Sequence, residues 1–220
     1  MPVLVRRFGD FDAWIVRGMG APKFDVQVVE VFNGASLPEM DRVKGIVISG
    51  SHAMITDRPD WIPQTAEWIK SAVERQIPTL GICFGHQLLA HTFGGEVAYN
   101  PLGKEFGTVP LTLTNAARED RLFGNYASGL TVQASHSQSV IRMPETAVLL
   151  ASSQMDGHHA FRINPAAWGV QFHPEFNAVI TRTYIDYESG LSLDIEQMKH
   201  NCHETPEAAS LLGNFYKLLK

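Results

Sequence analysis

One short stretch constrains the fold of this chain more than any other: Cys83 has a glycine two residues away on each side. Residues 78–82 before it are short and mostly apolar, as in a buried strand, and residues 87–93 after it have the pattern of a helix. A strand that turns at once into a helix brings the two backbones together, so only small residues fit at Gly81 and Gly85. The stretch therefore predicts a nucleophile elbow, a strained turn that presents one side chain at the end of a strand.

The predicted position of Cys83 suits a reactive thiol. The backbone N–H groups at the start of the following helix carry partial positive charge, which favours a thiolate over a thiol. A buried structural cysteine beside two loop glycines is the competing interpretation, because cysteine is a common core residue.

Length and composition limit the classes of function. With 220 residues the chain is expected to form a single domain, 1–220, with C-terminal helices in 191–220 packed on it. A net charge of −5 argues against nucleic-acid binding, and no apolar run reaches the length of a membrane span. Two cysteines, Cys83 and Cys202, are too few for a disulfide framework, so we expect a cytoplasmic location.

The order of predicted elements favours an α/β fold with an open, mostly parallel central sheet, flanking helices and a small antiparallel subsheet. Strands are predicted at 3–6, 24–32 and 44–49, followed by a helix at 61–76 and then the elbow. Alternation around Pro110 predicts an edge strand, and shorter antiparallel strands are predicted at 130–135, 147–152 and 159–163. After a buried strand at 167–172, one helix is predicted to present Phe176, Val179, Ile180, Thr183 and Tyr187 on one face and to stop at Gly190. A last helix is predicted to start at Thr205.

A second candidate group is Gln-Phe-His-Pro-Glu at 171–175, which ends the buried strand. Pro174 favours an extended conformation at His173, and in an extended segment residues two apart point to the same side. Glu175 could therefore hold the imidazole of His173 in one tautomer. Because the carboxyl ends of parallel strands line one crevice, His173 could also reach Cys83 and take its proton.

The two motifs together, Gly-Ile-Cys-Phe-Gly-His-Gln at 81–87 and Gln-Phe-His-Pro-Glu at 171–175, resemble those of the class I glutamine amidotransferases. The resemblance is to stand-alone members akin to the amidotransferase domain of GMP synthase and to γ-glutamyl peptidases. It implies a flavodoxin-like fold and a triad of Cys83 as nucleophile, His173 as base and acid, and Glu175 as the residue that orients His173. It implies no metal and no cofactor.

The resemblance also implies how a substrate would be held. Backbone N–H groups of Phe84 and of the turn containing Gly50 and Ser51 would form the oxyanion hole. The matching positions for binding glutamine are Gln87, Ser135, His136 and Ser137. Ser51 replaces the second of two glycines usual in that turn, and serine tolerates a positive φ poorly. Gln138 replaces an aspartate typical of GMP synthase, which weakens an assignment to GMP synthesis.

The implied reaction is hydrolysis of the side-chain amide of glutamine, or of a related γ-glutamyl amide, through a γ-glutamyl thioester. No synthetase module is evident in the sequence, so the ammonia could serve a separate synthetase subunit. Three alternatives stay open: a γ-glutamyl peptidase, a cysteine member of the α/β-hydrolase group that uses Asp156, and a catalytically silent regulatory binding module. The oligomeric state is left open as well.

Other histidines are expected to have no role in catalysis. His200, Cys202 and His203 are close in sequence, but a closed zinc site needs four ligands, so no metal is predicted there. His158 and His159, at the start of a predicted strand, are expected to form a solvated edge pair.

Overall fold

The computed structural model describes residues 8–126, 129–187 and 195–220. The helices in these ranges are α1 (Phe11–Met19), α2 (Ile62–Glu74), α3 (Phe84–Thr92), α4 (Asn115–Arg118), α5 (Ala178–Tyr187), α6 (Ile195–His200) and α7 (Pro206–Lys217). The strands are β1 (Ile46–Ile48), β2 (Thr79–Ile82), β3 (Glu96–Tyr99), β4 (Glu105–Leu113), β5 (Leu130–His136), β6 (Gln138–Arg142), β7 (Ala147–Ser152), β8 (Ala160–Ile163) and β9 (Ala167–Val170).

A seven-stranded sheet with the order β1-β2-β9-β8-β7-β4-β5 forms the centre of the described structure. Strands β1, β2 and β9 are parallel, with Ile48 beside Gly81 and Ile82 beside Val170 in the register. The carboxyl ends of these three strands therefore lie side by side. The predicted α/β class is confirmed, and this shared edge is where an open α/β sheet binds its ligands.

The antiparallel part of the sheet is larger than the sequence indicated. Strands β8, β7, β4 and β5 extend the main sheet in antiparallel fashion, while β3 and β6 form a separate two-stranded sheet. Strand β4 lies between β7 and β5, so it is not an edge strand, but β7 pairs only with Thr112 and Leu113. Pro110 pairs on the β5 side alone, which explains why a residue without an N–H is tolerated within this strand.

The amino-terminal region differs most from expectation. The strand predicted at 3–6 lies outside the described residues, and the strand predicted at 24–32 is wrong. Short 3-10 turns form instead at Lys23–Asp25 and Val31–Asn33. Large apolar side chains in this segment stay exposed to solvent: Phe24 is 89% exposed and Phe32 is 65% exposed. Helix α1, which was not predicted, begins where the Asp10 carboxylate accepts from the Phe11 N–H.

The helices that follow the sheet agree better with the sequence pattern. Helix α7 starts after Thr205, as predicted, and buries a stripe of Ala208, Leu211, Leu212 and Phe215. In α5, Ile180 is buried as predicted, but Val179 and Tyr187 are exposed and Tyr184 and Ile185 are buried instead. The predicted stop at Gly190 lies outside the described residues. Within 8–126, 129–187 and 195–220, no helix has both the length and the apolar character needed to cross a membrane.

Candidate active site

Cys83 lies at the turn between β2 and α3, in a backbone conformation that is unusual for a residue other than glycine, with φ 50° and ψ −101°. A Cβ atom added to Gly81 would lie 2.4 Å from the backbone oxygen of Gly85. One added to Gly85 would lie 2.3 Å from the backbone oxygen of Ile48. Because both obstacles are backbone atoms, they cannot move aside as a flexible side chain would. The predicted elbow is therefore confirmed, including its need for two glycines.

The elbow places the sulfur of Cys83 between two parts of the sheet. The backbone N–H of Cys83 donates to the carbonyl of Val170 at the end of β9, at 2.8 Å. The thiol lies 3.9 Å from the carbonyl oxygen of Ser135 in β5. Phe84 is the first residue of α3, so its backbone N–H has no intrahelical acceptor. This free donor next to the sulfur is where the sequence predicts half of an oxyanion hole.

His173 and Glu175 follow β9 and form a buried pair. The Nδ1 atom of His173 lies 2.7 Å from Oε1 of Glu175, and the backbone N–H of His173 donates to the carbonyl of Gln133 at 2.8 Å. Burial by itself would lower the pKa of His173, but the charge of Glu175, then the charge of Cys83 and a hydrogen bond with its sulfur, raise that pKa to about 10. His173 therefore carries a second proton at neutral pH, and Nε2 is the ring nitrogen left to face the sulfur.

Aromatic rings enclose the imidazole of His173. The ring of Phe176 stacks on it with a centroid distance of 4.0 Å and an interplanar angle of 13°, and Phe11 stacks at 5.9 Å. Gly50, in the turn after β1, also lies beside this ring, since a Cβ atom added to it would lie 3.0 Å from Cε1 of His173. The structure thus brings together the ends of all three parallel strands: Gly50 after β1, Cys83 after β2 and His173 after β9.

Ser51 fits the turn after β1 without strain. In the described part of the chain neither Gly50 nor Ser51 has a positive φ. The Ser51 hydroxyl accepts from the backbone N–H of Ala53 at 3.0 Å, which closes a short turn. The replacement of a glycine at this position therefore does not distort the loop.

Gln87 lies one helical turn after Cys83 and is buried. Its amide nitrogen donates to the carbonyl of Gln138 at 2.9 Å and to the side-chain oxygen of Gln171 at 3.1 Å. Both amide hydrogens are thus used within the protein, and the oxygen is the atom that could accept from a ligand. The Gln138 side chain donates to the hydroxyl of Thr56 at 2.6 Å.

The segment from Ser135 to Ser137 passes the sulfur, but its histidine side chain turns inward. Ser135 and Ser137 are half-buried, and the carbonyl of Ser135 faces Cys83. The imidazole of His136 is buried and contacts the Glu105 carboxylate at 2.8 Å and the Gln138 carbonyl at 3.0 Å. Only the backbone of His136, and not its ring, is thus available to a ligand at Cys83.

Sequence reasoning missed a buried group behind this segment. Glu105 accepts from His136, from His159 at 3.1 Å and from the hydroxyl of Ser153 at 2.7 Å. His159 is fully buried, so its assignment to a solvated edge pair is wrong. These residues lie far apart in the chain, and no local motif connects them.

Glu105, His136 and His159 are also the residues best placed to hold a metal ion. Their potential ligand atoms all lie within 4.8 Å of one another, and they form the one such group found in the described part of the chain. His200, Cys202 and His203 do not form a comparable group there.

The rival triad with Asp156 is not supported by the geometry. The Asp156 carboxylate accepts from the backbone N–H of His158 at 2.8 Å, whereas Glu175 is the carboxylate that contacts His173. The partner of the imidazole is the residue two positions along the same extended segment.

Known proteins resemble this chain over most of its length. It is 29% identical over 177 residues to γ-glutamyl peptidase 3 of Arabidopsis thaliana, across 78% of this chain and 70% of the peptidase. It is 37% identical over 149 residues to a glutamine-hydrolysing GMP synthase of Porphyromonas gingivalis, across 66% of this chain but only 28% of that protein. The crystal structure of a glutamine amido transferase from Methylobacillus flagellatus superposes with a TM-score of 0.78 at 22% identity, covering 94% of this chain and 87% of the other.

A family model gives the assignment directly. The model of glutamine amidotransferase class-I matches residues 4–185, which include the elbow, the turn after β1 and the His-Pro-Glu segment. The match covers well over half of the 220 residues. The chain belongs to the class I glutamine amidotransferase family.

Proposed function

We propose that this protein hydrolyses the side-chain amide of glutamine, or a related γ-glutamyl amide, and releases ammonia and glutamate. Cys83 is the proposed nucleophile, His173 the acid and base, and Glu175 the residue that orients His173. The observation that carries the proposal is the meeting of a strained cysteine elbow with a buried His–Glu pair at the ends of three parallel strands.

In the first half of the reaction the Cys83 thiolate attacks the δ-carbonyl carbon of glutamine. The negative charge that develops on the carbonyl oxygen is held by the backbone N–H of Phe84 and by one from the turn at Gly50 and Ser51. The loss of one such donor typically costs about 10²–10³-fold in rate. His173 then gives its proton to the nitrogen as the C–N bond breaks, so ammonia leaves and a γ-glutamyl thioester remains.

In the second half a water molecule hydrolyses the thioester. His173, now neutral, takes a proton from the water as the oxygen attacks the same carbon. The C–S bond breaks and glutamate leaves. The proton taken from water stays on His173, so Cys83 and His173 are again the thiolate and imidazolium with which the reaction began. Gln87 and the backbone of Ser135, His136 and Ser137 are the groups proposed to hold the amino-acid end of the substrate.

The ammonia is proposed to serve a separate synthetase subunit. The similar segment in the P. gingivalis GMP synthase makes up only 28% of a protein whose name includes glutamine hydrolysis. The synthetase part of such an activity is proposed to belong to a separate chain. Because the reaction needs a free thiol and both Cys83 and Cys202 are unpaired, we also propose a reducing, cytoplasmic setting.

A γ-glutamyl peptidase is the second candidate. Its support is the match to γ-glutamyl peptidase 3, which extends over 70% of that protein. The same triad would attack the same γ-carbonyl carbon, and the leaving group would be the amine of a peptide instead of ammonia.

A substrate comparison tests both candidates. Wild type, Cys83→Ala and the control Cys202→Ala are assayed with glutamine and with glutathione, and ammonia, glutamate and the released dipeptide are measured. We expect glutamate from wild type and Cys202→Ala, and a fall of at least about 10³-fold in Cys83→Ala. Ammonia without dipeptide supports the amidotransferase, and dipeptide without ammonia supports the peptidase. If neither substrate is cleaved and a glutamine-like electrophile does not label Cys83, the chain is a silent binding module.

A further inference from the structure

The structure contains a second buried His–Glu pair besides the proposed catalytic pair. His136 and Glu105 are cross-strand neighbours in β5 and β4, and Nε2 of His136 is 2.8 Å from Oε2 of Glu105. Their side chains are 1% and 4% exposed, so water contributes almost nothing to their hydrogen bonding. The proposed reaction does not use either side chain.

The hydrogen bonds of this pair fix where its protons lie. Nδ1 of His136 faces the Gln138 carbonyl, which can only accept, so Nδ1 must carry a proton. Nε2 then faces a carboxylate oxygen, and a second proton must lie between these two atoms. Burial alone would raise the pKa of Glu105, but hydrogen bonds from His136 and then His159 hold that pKa well below the usual range. Glu105 is therefore an ionised carboxylate that accepts the hydrogen bonds of its neighbours.

The other donors to Glu105 complete this arrangement. The Ser153 hydroxyl accepts from the backbone N–H groups of Met155 and Asp156, so its own hydrogen goes to Oε1 of Glu105. His159 donates from Nε2 to Oε2 of Glu105, and in the described residues its Nδ1 has no hydrogen-bond partner. Both carboxylate oxygens are thus occupied, which holds Glu105 and hence His136 in one orientation.

One carbonyl group connects His136 to the proposed substrate site. The Gln138 carbonyl accepts from Nδ1 of His136 and also from the side-chain amide of Gln87. Gln87 in turn donates to Gln171, which precedes His173 by two residues. A continuous line of hydrogen bonds therefore runs from Glu105 to Gln87.

We propose that Glu105 and His136 are positioning residues for the substrate: together they hold the Gln138 carbonyl, and through it Gln87 and the backbone beside Cys83, in the geometry that binds glutamine. The inference rests on the proposed function, because it assigns these groups to the substrate of that reaction. Under this inference the Glu105–His136 pair affects how tightly glutamine binds and does not affect the rate of the chemical step.

The same residues could instead hold a divalent metal ion, and the geometry favours the hydrogen-bonded interpretation. The Nε2 atoms of His136 and His159 lie 2.8 Å and 3.1 Å from the same carboxylate oxygen, Oε2 of Glu105, which are direct hydrogen-bond distances. We keep the metal as an outcome of the test.

Two substitutions at one position separate the two bonds of His136. His136→Asn places an amide nitrogen near the position of Nδ1, so it keeps the bond to the Gln138 carbonyl and loses the bond to Glu105. His136→Gln places its amide nitrogen near Nε2, so it keeps the bond to Glu105 and loses the bond to Gln138. Ser153→Ala is the control, because it removes a donor to Glu105 that does not touch Gln138.

We expect His136→Gln to raise the KM for glutamine by about tenfold, the effect of one lost buried hydrogen bond, with kcat changed by less than about threefold. His136→Asn should raise the KM by less than His136→Gln does, because it keeps the bond to the Gln138 carbonyl and loses only the bond to Glu105 that orients the side chain. Ser153→Ala should stay within about threefold of the wild-type KM. The rate of Cys83 alkylation by iodoacetamide should be equal in all four proteins, because the catalytic pair is not altered.

Three results would overturn the inference. The first is equal KM values for His136→Gln and His136→Asn while wild type cleaves glutamine, which leaves the proposed function standing. The second is about one equivalent of zinc or another divalent metal in purified wild type by elemental analysis. The third is a wild type that cleaves neither glutamine nor a γ-glutamyl peptide, which removes the proposed function as well. A variant that melts below the assay temperature is remade in a Glu105→Gln background, where no carboxylate loses a partner.

Discussion

Two His–Glu pairs in this protein have almost the same geometry and very different surroundings. His173 and Glu175 lie 2.7 Å apart, and His136 and Glu105 lie 2.8 Å apart, with all four side chains buried. The members of the first pair are two residues apart in one extended segment, whereas those of the second lie on neighbouring strands and 31 positions apart. The first pair forms within one short segment, whereas the second forms only when β4 and β5 pair in the sheet.

The second ring nitrogen makes the functional difference. In His173 it is the nitrogen left for the Cys83 sulfur, and in His136 it donates to a backbone carbonyl. The carboxylates differ too, because both oxygens of Glu105 are hydrogen-bonded while Oε2 of Glu175 has no partner among the described residues. The comparison suggests two uses for a buried His–Glu pair: the proposed proton carrier where the other ring nitrogen faces a sulfur, and the proposed fixed support where it faces a carbonyl group.

The largest expected effect is a difference between the two histidines: replacing His173 should lower kcat, whereas replacing His136 should raise KM. His173→Gln should lower kcat by about 10³–10⁴-fold, because it removes the group that protonates ammonia and activates water. His136→Gln should act mainly on KM, as argued above. Steady-state kinetics with glutamine for the two variants provides the measurement, and a large loss of kcat in His136→Gln would mean that the two pairs are not distinct in role.

The next effect compares the two carboxylates with the same isosteric change. Glu175→Gln should lower kcat by about 10²–10³-fold, because the amide no longer stabilises the imidazolium of His173 and favours the wrong tautomer. Glu105→Gln should raise KM by no more than about threefold, since an amide at this position can still donate to Nε2 of His136. Equal losses of kcat in both variants would contradict the separation of roles.

The two pairs should lose their contributions to stability at opposite ends of the pH range, one at high pH and the other at low pH. The pKa of His173 is raised to about 10, so its pair stabilises the fold fully below about pH 6.5 and loses this contribution as the pH rises through about 10. The pKa of Glu105 is lowered, so its contribution is complete above about pH 4.3 and is lost as the pH falls below that value.

Thermal melting of wild type, His173→Gln and Glu105→Gln from pH 3 to pH 10 checks these signs. The difference in melting temperature between wild type and His173→Gln should become smaller toward pH 10. The gap between wild type and Glu105→Gln should narrow toward pH 3. Gaps that stay constant with pH would show that neither pair contributes through its charge.

The smallest expected effect concerns the ring that stacks on His173. Phe176→Leu keeps most of the apolar volume but removes the aromatic face 4.0 Å from the imidazole. Because the face of an aromatic ring attracts a cation, we expect a fall of about threefold to tenfold in kcat and a lower pKa in the pH–rate profile. An unchanged profile would assign Phe176 to packing alone.

Much of the proposed site could be predicted because its parts are local. Gly81, Cys83 and Gly85 describe the elbow by spacing alone, and the structure shows the backbone contacts that exclude larger residues there. His173, Pro174 and Glu175 are another local unit, in which an extended backbone turns two side chains to one side. Regular burial also made α7 predictable from its stripe of leucines and Phe215.

The errors occur where tertiary contacts decide the outcome. Residues 24–32 have an apolar composition typical of a strand, but no neighbouring strand in the described structure pairs with them, so they form 3-10 turns. His159 follows polar residues in the sequence, but it is fully buried because Glu105 and Phe172 lie against its ring.

The sequence by itself predicted the groups that are proposed to act on a substrate: a cysteine on a bend that admits only glycine neighbours, and a histidine with a carboxylate beside it. Those constraints act over a few residues, where steric exclusion and backbone direction leave one arrangement. Only the tertiary structure decided which strands lie side by side, and hence that Glu105, His136 and Gln138 form a line of hydrogen bonds toward Gln87. Strand pairing depends on residues far apart in the chain, and no local pattern contains that information.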